Sequence, residues 1–173
     1  IGLGGIDSME QMAKVKAVVP ETTFKHGYAI LNAEDDLVYA MKDGLSCNIA
    51  LFSMDENNPR IIKHCKDGGY AAVFENGYIT IMKGTWKIRV IKVTDVPVTY
   101  GGKALHNVMN CLPAVLSTYF WRNIEIEDIK LALQTFVPSS AQTPGRLNMF
   151  QFKQFKFLVD FAHNPAGLEL LCD

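Results

Sequence analysis

Three strand-like runs, Tyr70 to Phe74, Tyr78 to Met82 and Trp86 to Val93, follow one another through Asn76-Gly77 and Lys83-Gly84. Asn-Gly is the strongest short hairpin signal, because both positions of the tight turn need a positive φ that these residues tolerate. Linkers this short leave the runs only one arrangement, as neighbouring antiparallel strands. The middle of the chain is therefore expected to form an antiparallel β meander, inserted into or attached to what surrounds it.

The flanks read differently. Ser8, with Gln11 three residues on, makes a capping box for a helix running to about Val19, with Pro20 as its stop. Gly27 to Leu31 reads as a short buried strand, Asn32 to Asp36 as the acidic turn leaving it, Asp35 to Lys42 as a helix stopped by Gly44, and Asn48 to Ser53 as another strand. Strand, turn, helix and strand in that order argue for an α/β unit. After Gly101-Gly102, helical patterns span Ala104 to Phe120 and Glu125 to Thr135. Val137 to Gly145 carries two prolines, two serines and a glycine, the composition of a linker. A domain boundary is placed there, dividing the chain into residues 1–143 and 144–173. Leu147 to Phe152 and Phe155 to Asp160 form a second hairpin, with a helix beginning near His163.

Composition bounds the function classes. Apolar residues make up 49% and charged residues 20%, enough for a packed core, and the formal net charge of -1 gives no basic field for nucleic acid. No apolar run reaches the roughly 18 residues that span a bilayer, so no membrane partner is expected. Cys47, Cys65, Cys111 and Cys172 are scattered without a C-x-x-C pair, which reads as buried free thiols in a reducing, cytoplasmic setting. The chain begins on Ile1 rather than methionine and is read as a piece of a longer polypeptide.

Several residues could carry chemistry. Asn107 and Asn110, three apart at the start of a helix, project from one face, and amides can pair with a purine edge; equally, Asn107 could cap the helix and Asn110 bond internally. Arg146 follows Pro144-Gly145, a rigid turn that would present its guanidinium fork either to phosphate oxygens or to an interdomain ion pair. Asp160 ends an apolar strand, where a carboxylate can meet ribose hydroxyls, or else cap the helix near Pro165. His163 lies beside it, as pocket neighbour or turn residue. Asn32, Glu34 and Asp35 leave a strand end and could gather magnesium or an amine, or simply start a capped helix.

Met9–Lys16, Ile30–Asp35, Gly102–Asn110, Pro144–Asn148 and Val159–Gly167 resemble, in this order and spacing, segments of the Mur ligase superfamily. The last two segments and the meander are most similar to the Mur-like C-terminal half of the cyanophycin synthetase branch. The resemblance implies an α/β fold: an incomplete Mur-ligase central domain of P-loop type, lacking its N-terminal part and carrying the meander, followed by the start of a Rossmann-like C-terminal domain. It implies an ATP- and Mg2+-dependent ligase that makes an acyl phosphate and lets an amine displace phosphate. In that branch the amine is arginine and the acceptor an aspartate-containing peptide, and self-assembly into a homo-oligomer is expected. By resemblance Asn107, Asn110, Arg146, Asp160 and His163 contact ATP. Lys16 matches a lysine that, carbamylated, becomes a magnesium ligand in several relatives; the plainer reading is a solvated helix lysine. The family usually carries tyrosine where Phe161 stands and proline where Asp36 stands.

No G-x-x-x-x-G-K-S/T phosphate loop occurs in the chain, and the resemblance puts that loop and the primary magnesium ligands upstream of Ile1. The segment alone is therefore expected to be inactive. Two other readings stay open: a Mur-type ligase of peptidoglycan or folylpolyglutamate synthesis, and a non-catalytic binding or assembly module using the meander as its contact surface.

Overall fold

The computed structural model describes residues 4–172. Helix α1 (Met9–Glu21) starts as the capping box requires: Ser8 Oγ accepts from Gln11 N–H at 3.2 Å, and Gln11 Oε1 accepts from Ser8 N–H at 3.2 Å. Pro20 does not stop the helix but lies inside its last turn. Proline's fixed φ is itself helical, so the last turn can include it at the loss of one backbone hydrogen bond.

Strand β1 (Tyr28–Asn32) leads to α2 (Asp36–Ala40), which continues as a 3₁₀ turn over Met41–Gly44 rather than as one helix to Lys42. Strand β2 (Asn48–Ser53) is followed by α3 (Pro59–Lys66), a helix the sequence reading left out, and then by β3 (Tyr70–Glu75). The helix begins on the Asn58 cap, whose Oδ1 accepts from Arg60 N–H at 2.9 Å, with Pro59 at the first position. It is only eight residues long and buries Ile61 and Cys65, one turn apart on a single face.

Strands β4 (Tyr78–Lys83) and β5 (Trp86–Lys92) complete the meander. Asn76 and Gly77 adopt φ of 50° and 83°, as the tight turn demands. The meander is not an insertion: it continues one five-stranded sheet in the order β1-β2-β3-β4-β5, with β1, β2 and β3 parallel and β3, β4 and β5 antiparallel. Strand β3 is thus the pivot of a mixed sheet, and β1 and β5 are its edges.

One face of the sheet packs on α4 (Leu105–Tyr119) and α5 (Ile126–Thr135). Val108, Cys111, Leu112, Val115 and Leu116 of α4 form the buried stripe, meeting Ala50, Ala72, Ile79 and Ile81. The other face packs on α3, where Ile61 and Cys65 join Leu31, Leu51, Val73 and Met82. With both faces covered, the central strands read as continuous apolar runs. After α5 no helix or strand forms until β6 (Asn148–Phe152), which pairs with β7 (Phe155–Val159) in a separate two-stranded sheet; α6 (Pro165–Cys172) follows.

All four cysteines are free. Cys65 and Cys111 are buried, but Cys47 is half-buried and Cys172 exposed, so the expectation of buried thiols holds for only two. No helix among the described residues is long and apolar enough to cross a membrane.

Candidate functional site

Two irregular segments, distant in sequence, help to build a cleft of about 540 Å³ between the start of α4 and the stretches that flank the β6–β7 hairpin, the turn before β6 and the segment from Asp160 into α6. The first is the loop before α4. Buried Thr99 ties it down, its hydroxyl donating to the carbonyls of Val93 (2.6 Å) and Val96 (2.8 Å) and accepting from Gly102 N–H at 3.0 Å. Tyr100, Gly101 and Gly102 then run through left-handed φ of 52°, 73° and 86°. At Gly102 a Cβ would also press on Val93 Cγ2 at 3.0 Å. Tyr100, the one non-glycine of the three, bears a cost of about 1–2 kcal/mol for that conformation. Strain of this kind persists only where surrounding bonds over-determine it.

The second segment is the turn from Thr143 to Asn148. Buried Asn148 holds it from inside, accepting from Gly145 N–H at 2.7 Å and donating to the carbonyls of Thr143 (3.0 Å) and Arg146 (3.2 Å). Arg146 N–H donates to Thr143 O at 3.1 Å, and Phe161 N–H to Gly145 O at 2.8 Å. Leu147 is a second left-handed non-glycine, with φ 46°, and it is held at both ends. Its N–H donates to Asp160 Oδ2 at 2.9 Å, and its carbonyl accepts from the Tyr100 hydroxyl at 2.6 Å. Burial raises the Tyr100 pKa, which keeps that hydroxyl protonated and donating.

Asn107, Asn110, Arg146, Asp160 and His163 all line this cleft. The guanidinium of Arg146 lies 5.6 Å from the centre of the Phe161 ring, so its cation rests against an aromatic face. Asn107 Nδ2 donates to Val98 O at 2.7 Å, which fixes the amide and commits one of its donors. Asn110 is exposed on the same wall, and the uncapped start of α4 adds the positive end of a helix dipole there. Asp160 does not cap α6: Asn164 does, its Oδ1 accepting from Gly167 N–H at 2.8 Å. His163 Nδ1 lies 3.1 Å from Phe161 O, a local turn contact.

Lys16 is exposed on α1 and is not among the residues lining the cleft. The acidic turn also stands apart. Asp35 caps α2 through Val38 N–H (2.9 Å), Asn32 Oδ1 accepts from Glu34 N–H (2.9 Å), and Glu34 Oε1 accepts from the Ser53 hydroxyl (2.8 Å) and from Met54 N–H. Those groups make a capped helix start, the plainer of the two readings. No group of three or more His, Cys, Asp or Glu that could hold a metal ion occurs among the described residues. The cleft's donor set, one guanidinium, amides, imidazoles and one carboxylate, fits a phosphorylated, hydrogen-bonding ligand and does not by itself fit a divalent cation. Tyr100, Asn148 and Asn164 were not singled out from sequence. Asn164-Pro165 carried the cap-then-proline signal that could have found the last.

No family model matches the chain. It is 46% identical to the cyanophycin synthetase of Synechocystis sp. over 173 residues, covering 100% of this chain and 20% of that protein. Against the cyanophycin synthetase of Geminocystis herdmanii the identity is 47% over 167 residues, 96% of this chain and 19% of the relative. A UDP-N-acetylmuramate–L-alanine ligase from Acetivibrio thermocellus is 25% identical over 159 residues, 88% of this chain and 29% of the relative. The chain thus spans about one fifth of the length of these two cyanophycin synthetases. Along its whole length it is similar to a cyanophycin synthetase and, at lower identity over 88% of it, to a ligase of the Mur type.

Proposed function

We propose that this chain is part of an ATP-dependent ligase that joins arginine to the aspartate side chains of a peptide through an amide bond, and that the cleft is its nucleotide site. The observation that carries this reading is the meeting of Arg146 and Asp160 with Asn107, Asn110 and His163 around one cavity. ATP, when bound, supplies the phosphoryl group that activates a carboxylate for attack by an amine.

The chain's own residues bind and orient. Arg146 offers a bidentate fork to phosphate oxygens. Asp160, with one oxygen committed to Leu147 N–H, offers the other to ribose hydroxyls. Asn110 and the open side of the Asn107 amide read the base edge, while His163 closes the cavity wall. Magnesium would depend on phosphates and on residues beyond this segment, and Lys16 would take part only if carbamylated and brought to the site by the rest of the protein. The segment by itself is expected to be inactive, and assembly of the whole protein into a homo-oligomer belongs to the same proposal. The Acetivibrio relative, a UDP-N-acetylmuramate–L-alanine ligase, supports a Mur-type ligase acting on another acceptor as the second reading, at lower identity.

Arg146→Ala in the full-length protein is expected to lower ATP-dependent amide formation about 10- to 100-fold, the size of a lost charge-assisted bond. Asp160→Asn should cost less. Assays supply ATP, an aspartate-rich peptide primer and single amino acids, with circular dichroism to verify folding. Unchanged ligation by a folded Arg146→Ala protein removes the nucleotide reading; incorporation of an amino acid other than arginine redirects the substrate.

A further inference from the structure

We propose that Tyr100 is a positioning residue for Arg146, the tie that sets the distance between the two walls of the cleft. The inference rests on the reading of that cleft as a nucleotide site. Every hydrogen bond on the Thr143–Asn148 turn described above, save one, comes from residues 143–161, the turn's own stretch of chain. The exception is the Tyr100 hydroxyl on Leu147 O at 2.6 Å, reaching across 47 residues from the loop that leads into α4. One wall carries Asn107 and Asn110, the other Arg146 and Asp160. A ligand that spans both walls gains from any bond that fixes their separation beforehand, because less ordering remains for binding to supply.

The geometry around the tie supports this assignment. The hydroxyl grips the residue directly after Arg146, whose N–H is already fixed on Asp160. Both tied residues hold left-handed φ, 52° at Tyr100 and 46° at Leu147, a conformation non-glycine residues adopt at a cost. Thr99 anchors the Tyr100 side of the link to Val93, a buried core residue directly after β5, so the tie runs from the main core to the Arg146 turn. Tyr100 also lines the cleft, but its hydroxyl is committed to the turn, so positioning and direct contact are separated by the double substitution below.

Tyr100→Phe in the full-length protein keeps the ring and deletes the hydroxyl. Affinity for a non-hydrolysable ATP analogue, measured by calorimetry, is expected to fall about three- to tenfold, the scale of one hydrogen bond. In turnover the KM for ATP should rise by a similar factor with kcat nearly unchanged. In an Arg146→Ala background the same Tyr100→Phe change should have no further effect, because the group it positions is gone. If Tyr100→Phe binds like the unaltered protein while Arg146→Ala is impaired, the positioning role is overturned and the nucleotide reading stands. Equal losses in both backgrounds also overturn it, since Tyr100 would then act on the ligand or the fold directly. If Arg146→Ala itself binds the analogue normally, the nucleotide reading falls and takes this inference with it.

Discussion

His64 sits in the last turn of α3 with its Nε2 buried and without a hydrogen-bond partner. Gly69 lies against the ring so closely that a Cβ there would overlap it. Burial lowers the His64 pKa from its ordinary 6.5, the lost hydration of an imidazolium outweighing the opposing pull of the Tyr70 and Ile49 backbone and of Asp67. A depressed folded-state value means that the unfolded chain binds the proton more readily. The stability due to neutral His64 is therefore complete above pH 6.5 and lost as pH falls below it. Urea unfolding between pH 7.5 and pH 5.5 should show a falling midpoint, and His64→Phe should flatten that fall; identical slopes for the two proteins would refute the argument. The cleft divides along a related line of what sequence can reveal. Arg146 and Asp160 were visible because a Pro-Gly turn and a strand end announce them locally. Tyr100 and Asn148 were not, because what they do depends on partners placed by folding: a left-handed backbone for the first, and three backbone groups of a turn for the second.

Among the elements, the β3–β4 hairpin was the most legible, since Asn76-Gly77 supplies both positive φ angles of its turn. Gly77 has open space where a Cβ would stand, so the cost of a side chain there is purely conformational. Gly77→Ala is expected to destabilise the protein by about 1 kcal/mol in denaturant titration. Gly44→Ala, with equal room and no positive φ, should be neutral or slightly stabilising. Equal effects of the two would mean that the turn's handedness is not what the glycine provides. Helix α3 was illegible for the opposite reason. Its start signals, Asn58 and Pro59, were present, but at eight residues it is short enough to pass for a connection between two strands. The joining of meander and parallel strands into one sheet could not be read either, because β3 pairs parallel with β2 and antiparallel with β4, and only the second partner is adjacent in sequence.

At the scale of the whole molecule, the two buried clusters belong to the five-stranded sheet and its helices, and no buried residue of either comes from beyond Ile129. The β6–β7 hairpin is different: Met149, Phe152, Phe155, Phe157, Leu158 and Val159 are all exposed. Phe152, Phe155 and Phe157 share one face of the hairpin with Phe150, and exposed apolar surface of this kind binds hydrophobic dyes and partners. The isolated segment should bind anilinonaphthalene sulfonate, and Phe155→Ser with Phe157→Ser should remove much of that signal without lowering the thermal midpoint of the sheet. A large drop in the midpoint would show that the hairpin supports the main core after all.

The two margins of the five-stranded sheet are chemically unequal. Along β5, Lys87, Arg89 and Lys92 alternate with apolar residues, and a register shift breaks its ladder with β4 near Ile79 and Thr80. Strand β1, Tyr-Ala-Ile-Leu-Asn, carries no charge at all. Like-charged guards discourage a newcomer on one border while the opposite border stays chemically inviting. A further strand would thus meet a guarded border along β5 and an uncharged one along β1.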